Sequence, residues 1–151
     1  MSEKTRIIIS DLHIGENNDF DIFKSATKTD ELSGLLSYLG AQNNPVELIV
    51  NGDFVDFLQL RPWNQFGRRA AFGKIKAITE GSSHVFGVFG KFLQGSEHFI
   101  TVLLGNHDVD LAYPEVWAEV EKAVLAAAAN GAESRLKFLR DRSTYRLTIN
   151  G

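Results

Sequence analysis

The sequence contains no cysteine. Disulfides and thiolate metal sites are therefore excluded, and any metal must be held by nitrogen and oxygen donors. Nor is there an excess of positive charge: 16 Lys and Arg stand against 19 Asp and Glu, for a formal net charge of -3. A mildly acidic surface lacks the basic face that extended nucleic-acid binding requires, which argues against nucleic acid as a partner. Long apolar runs are missing as well. No stretch approaches the ~20 apolar residues of a membrane span, and the run inside MSEKTRIIIS is too short for the apolar region of a signal peptide. These absences lead us to expect a cytoplasmic protein. No internal repeat, low-complexity tract or linker is visible. The 151 residues, 44% of them apolar, read as one domain able to bury a core.

What is present is an alternation of strand and helix patterns. Residues 6–10 (RIIIS) are β-branched and apolar without alternation, the pattern of a central strand covered on both faces. In residues 27–40 (TKTDELSGLLSYLG), Leu32, Leu35, Leu36 and Leu39 fall at helical spacing, with Thr27 and Asp30 as a capping box and Gly40 as a stop. Strands are predicted at 46–50 (VELIV) and 99–104 (FITVLL). Between them, residues 61–97 read as two helices turning near Gly81, although Gly87 and Gly90 each cost about 1 kcal/mol in a helix interior. A helix from Pro114 to about Gly131 should bury Val116, Val120 and Val124. RLKFL and TYRLTI then read as two short strands joined at 141–143. Strands separated by helices imply an α/β fold, with a mixed or parallel sheet built from right-handed crossovers.

A polar cluster follows each of the first three strands: SDLH with Asp11 and His13, NGDFVD with Asp53 and Asp56, and GNHD with Asn106, His107 and Asp108. Each could be an ordinary turn on its own. In open α/β sheets, however, ligands bind beyond the carboxyl ends of the strands, so all three clusters converge on one edge. Without thiolates, divalent cations take carboxylate, imidazole and amide oxygen. Asp53 has two oxygens and can bridge ions about 3.5–4 Å apart. Asp11 and His13 would complete the first ion's ligands, and Asn106 would offer a neutral oxygen to the second. Water held between such ions becomes a nucleophile near neutral pH. Gly52 and Gly105 let the backbone turn sharply at each cluster.

In this order, SDLH, GDFVD and GNHD resemble the first three blocks of the calcineurin-like metallophosphoesterase family, over residues 6 to 108. The resemblance implies half of a four-layered α/β/β/α sandwich and metal-dependent hydrolysis of phosphate mono- or diesters. It implies two divalent ions, drawn from Mn, Fe, Zn, Ni or Mg, with Asp11, His13 and Asp53 on one and Asp53 and Asn106 on the other. His107 would donate a proton to the leaving oxygen or stabilise phosphoryl charge, and Asp108 would orient its ring. Asp56 would be an outer hydrogen-bond partner rather than a ligand.

Relatives complete the site with later histidines, whereas here no histidine follows His107. His84 and His98 precede Gly105 and read as surface or boundary residues. The expectation is a domain over residues 1–151 that lacks its second half. It would expose a sheet edge and an apolar surface open to self-association, and would hold one ion or none. Two alternatives follow: an inactive metal- or partner-binding module, and a nuclease-like phosphodiesterase. In residues 58–76, Trp63, Phe66 and Phe72 alternate with Arg61, Arg68, Arg69, Lys74 and Lys76. They form either a grip on a phosphorylated small-molecule or lipid-like substrate or, more simply, a helix with one buried stripe and one basic face.

Overall fold

A computed structural model describes residues 4–24 and 26–140. Four strands, β1 (Thr5–Ile9), β2 (Val46–Asn51), β3 (His98–Leu103) and β4 (Leu136–Leu139), form one sheet in that order, every pair parallel. Helix α1 (Ala26–Gly40) joins β1 to β2. Helices α2 (Arg68–Gly81) and α3 (Ser83–Phe92) both lie between β2 and β3, and α4 (Pro114–Leu125) leads to β4. Strands laid down in sequence order by crossovers of one hand place every connection on the same face. The helices accordingly touch one another, α1 on α3, α3 on α4 and α2 on α4, which a sheet between them would prevent.

The core lies between sheet and helices. Val46, Leu48 and Val50 of β2 and Ile100 and Val102 of β3 point into it, and Leu32, Leu36, Ile75, Ile78, Phe86, Phe89, Val116, Val120 and Val124 meet them from the helices. Leu35 of the predicted helical stripe stands partly exposed instead. Gly90 has a packing reason to be in a helix: a Cβ there would strike the carbonyl of Val124, so it allows α3 and α4 to approach closely. Helix α4 ends at Leu125, sooner than expected, and Gly131 takes φ 79° ahead of the turn that leads into β4. The start of α1 at Ala26 places Thr27 and Asp30 inside the helix, so the expected capping box does not form.

Strand β1 corrects another expectation. It is an edge strand with one face open, and Ile8 is 55% exposed; β2 is the strand buried on both faces. A β-branched run looks the same in both places, because the edge is set by the sheet order. On the face away from the helices, the Thr101 hydroxyl donates to Glu47 Oε1 at 2.8 Å, and Glu47 pairs with Arg6 at 3.4 Å and Lys4 at 3.8 Å. The expected apolar surface is therefore interrupted by a charged cluster. RLKFL becomes β4, while TYRLTI lies outside the described residues. Among those residues, no helix is long and apolar enough to cross a membrane.

Candidate metal centre

Beyond Ile9 and Asn51 the chain continues to pair as two loops. His13 and Ile14 donate their N–H groups to the carbonyls of Asp53 and Phe54 at 2.9 and 3.1 Å, and Asp56 N–H returns to the Ile14 carbonyl at 3.0 Å. In the first two loops a buried apolar anchor follows the site residue. Ile14 after His13 is fully buried, and Phe54 after Asp53 packs edge-on against Phe86 and Phe89, with centroids 5.9 and 5.2 Å away. Burial of the anchor leaves its polar predecessor at the strand edge.

Asp11, His13 and Asp53 all take left-handed backbone conformations, with φ of 56°, 50° and 52°. Such values are uncommon outside glycine and cost on the order of 1 kcal/mol each. Three together, on the three residues expected to share an ion, mark a place where the surrounding loops hold strain. Glycine makes the approach possible: Gly52, itself at φ 83°, lies against the Gly105 backbone, and a Cβ on Gly105 would collide with Asp53's N–H and carboxylate.

The side chains converge. His13 Nε2 stands 3.9 Å from Asp11 Oδ1 and 3.8 Å from Asp53 Oδ2. These separations are too long for hydrogen bonds. They suit donors arranged round one cation at about 2.0–2.2 Å from each. Asp53 Oδ1, on the other side of the same carboxylate, accepts the backbone N–H of His107 at 3.0 Å.

The two imidazoles stand edge to face with centroids 4.6 Å apart, and both Nδ1 atoms lie 3.0 Å from Oδ2 of Asp56. Asp56 is buried. Gln59 Nε2 reaches the same oxygen at 2.8 Å, and Leu58 N–H donates to Oδ1 at 2.8 Å. Burial works to raise the Asp56 pKa, but the hydrogen bonds from Gln59 and Leu58, the His107 charge and the His13 contact together hold it below the usual carboxylate value. An ionised Asp56 is an acceptor only, so both Nδ1 atoms donate to it, which leaves the Nε2 of His13 turned towards Asp11 and Asp53. His13, Asp56 and His107 are also close enough to hold an ion. Oδ2 of Asp56 already accepts from three donors, however, so the donor set favours the triad of Asp11, His13 and Asp53, with Asp56 orienting His13 from behind.

Asp108 does not do what was expected of it. Its fully buried carboxylate accepts Phe54 N–H at 2.7 Å and Gly105 N–H at 2.6 Å, so it ties the second loop to the third, while Asp56 holds the ring of His107. Burial pushes the Asp108 pKa up to about 6 against the pull of the backbone N–H groups of Gly105, Phe54 and Val55, and neighbouring Asp53 adds to the rise. Asn106 sits exposed between Gly105 and His107. His84 is exposed as expected, but His98 is buried, its ring stacked on Phe92 at 4.7 Å and its Nδ1 donating to the Phe92 carbonyl at 2.9 Å. That correction follows from β3 beginning at His98. Gln59 went unremarked in the sequence; its signal was Asp56-x-x-Gln59, the spacing of a capping pair at a turn start.

A family model for calcineurin-like phosphoesterases matches residues 5–142. The chain belongs to that family. Comparison with curated proteins finds no match, and comparison with solved structures finds none. For this phosphoesterase, family membership supports metal binding and hydrolysis of phosphate esters as a general activity, and the four-stranded parallel α/β sheet agrees with such a domain.

Proposed function

We propose that the site hydrolyses phosphate esters with divalent ions held at the strand ends, Asp11, His13 and Asp53 holding one and Asp53 and Asn106 the other. The observation that carries this reading is the open triangle around His13 Nε2, with carboxylate oxygens at 3.8 and 3.9 Å, beyond hydrogen-bond reach. Bound ions supply Lewis acidity towards phosphoryl oxygen and lower the pKa of water; Mn, Fe, Zn, Ni and Mg all accept these donors.

The chain's own residues supply orientation and protons. Asp56 fixes the His13 tautomer so that Nε2 offers a lone pair. The same carboxylate holds Nδ1–H of His107, which is one-third exposed, so the protonated ring has its Nε2–H to give to a leaving oxygen. Asp53 Oδ1 holds the backbone of His107, and the acid and the bridging carboxylate therefore keep a common register. The substrate is a phosphorylated small molecule or a lipid-like phosphoester; the net charge of -3 disfavours nucleic acid.

A second reading has its own support. Among the described residues the second ion has only Asp53 and Asn106, so the chain would hold one ion well and the other weakly, and would act as a metal-binding module with slow turnover or none. Titration calorimetry with Mn(II), alongside assays on a chromogenic phosphomonoester and phosphodiester, separates the two. Metal-dependent turnover lost in Asp53→Ala and His107→Ala supports the hydrolase. Binding of one ion without turnover of either ester supports the module, and absence of both overturns both.

A further inference from the structure

Among the described residues nine large apolar side chains stand exposed, and five of them, Phe20, Ile22, Leu58, Trp63 and Phe66, belong to two adjacent loops. All five are more than half exposed. The loops are built together. Phe20 and Trp63 meet edge to face at 6.3 Å, and Arg61 lies over both rings, 5.0 and 4.7 Å from their centroids. Ile22 N–H donates to Gln59 Oε1 at 3.2 Å. Cations stand close to these rings, with the acids Glu16, Asp19 and Asp21 in the neighbouring segment. Lys28 Nζ donates to the Ile22 carbonyl at 2.6 Å, and a cleft of about 550 Å³ beside Phe66 is lined by Arg61, Arg69 and Lys74 together with Glu16. Asp19 and Lys24 pair and offset each other, and Asp21 accepts the N–H groups of Asn17 and Phe23, so its negative charge remains beside Phe20 and Ile22.

An exposed apolar patch of this kind marks an interaction surface. Aromatic rings with cations beside them suit one environment in particular, the boundary between lipid headgroups and acyl chains, where rings sit at headgroup depth and Lys and Arg meet anionic lipid. The local cations stand out on a chain whose net charge is -3. We propose that this lip docks the protein on anionic lipid surfaces. Phe20, Ile22, Leu58, Trp63 and Phe66 enter the interface, and Arg61, Arg69 and Lys28 meet lipid phosphate. The lip stands two side-chain contacts from the histidines, since Gln59 bonds both the Ile22 backbone and Asp56. Docking therefore brings the metal centre to the plane of the headgroups.

The test is co-sedimentation of the chain with vesicles of phosphatidylcholine, with and without about one third phosphatidylserine, while tryptophan emission is followed. Trp117 is buried, so a shift to shorter wavelength reports Trp63. The expected result is binding to the anionic vesicles, weakened by salt and far weaker on the neutral ones. Arg61→Gln should lower affinity about fivefold, and Phe20→Ser with Phe66→Ser by about tenfold or more. These residues are exposed, so unchanged melting temperatures will show that the fold survives. Failure to bind anionic vesicles, equal binding to neutral vesicles, or unaltered binding by the double variant overturns the proposal. So does a concentration-dependent dimer, abolished by the same substitutions without vesicle binding, which would make the lip a contact between copies. Vesicle binding is read without turnover, so its loss leaves the phosphoesterase reading intact.

Discussion

His13 and His107 stand edge to face, 4.6 Å between ring centroids, and each places its Nδ1 3.0 Å from the same oxygen of Asp56. One buried carboxylate thus governs a candidate ligand and the candidate acid together. A change at Asp56 should disturb metal affinity and proton transfer in the same variant.

Asp56→Ala removes the acceptor for both rings. Loss of an outer partner of a ligating histidine lowers metal affinity about 10- to 100-fold, and calorimetric titration with Mn(II) should show a fall of that size. Affinity equal to the parent chain would mean that His13 is oriented by something else.

Gly105→Ala tests the packing of the loops. The added Cβ meets Asp53's backbone and carboxylate, groups that cannot swing aside without leaving the site. We expect a loss of about 1–3 kcal/mol in urea unfolding of the metal-free chain, together with loss of Mn(II) binding. Retention of both properties would show that the third loop has slack that its contacts do not suggest.

Asp11→Gly separates stability from function. Asp11 is exposed, at φ 56°, and adds negative charge beside Asp53. Glycine relieves the backbone strain, so the metal-free chain should be stabilised by about 0.5–1 kcal/mol while Mn(II) affinity falls. Destabilisation in the presence of chelator would contradict the assignment of strain to this position.

The pH dependence of the chelated protein reports Asp108. Its pKa is about 6 in the fold against an ordinary 3.8, so the fold favours the protonated form. The stabilisation is fully present below 3.8 and is lost as pH rises through 6, a swing of about 3 kcal/mol. Relative to Asp108→Asn, the parent chain should therefore lose stability between pH 4 and pH 7 in chemical denaturation. A constant difference across that window would show that the backbone N–H donors hold the carboxylate ionised.

Much of the plan was readable in the letters because it depends on local chemistry. RIIIS, VELIV and FITVLL could only be strands with buried faces, the valines of α4 recur at helical spacing, and polar residues at three strand ends had to meet at one edge once the strands were parallel. Asp11, His13 and Asp53 follow from that geometry. Partners across the site did not. Asp108 sits beside His107 in the chain, yet it turns inward to the amides of Phe54 and Gly105, and the partner of His107 comes from 51 residues away. Adjacency says little about which way a turn aims a carboxylate; that depends on which buried N–H groups need an acceptor.

His98 and Ile8 make the same point from opposite directions. An imidazole expected at the surface is buried by the aromatic ring of Phe92, and an isoleucine expected in the interior stands at an open edge. The sequence by itself determined the elements, their order, the donor types and the end of the sheet where they gather, because periodicity and chain direction are properties of neighbouring residues. Only the tertiary structure decided that Asp56 holds both rings, that Asp108 clamps the loops and that one sheet face carries charge. Those outcomes depend on desolvation and on hydrogen-bond partners brought from distant parts of the chain.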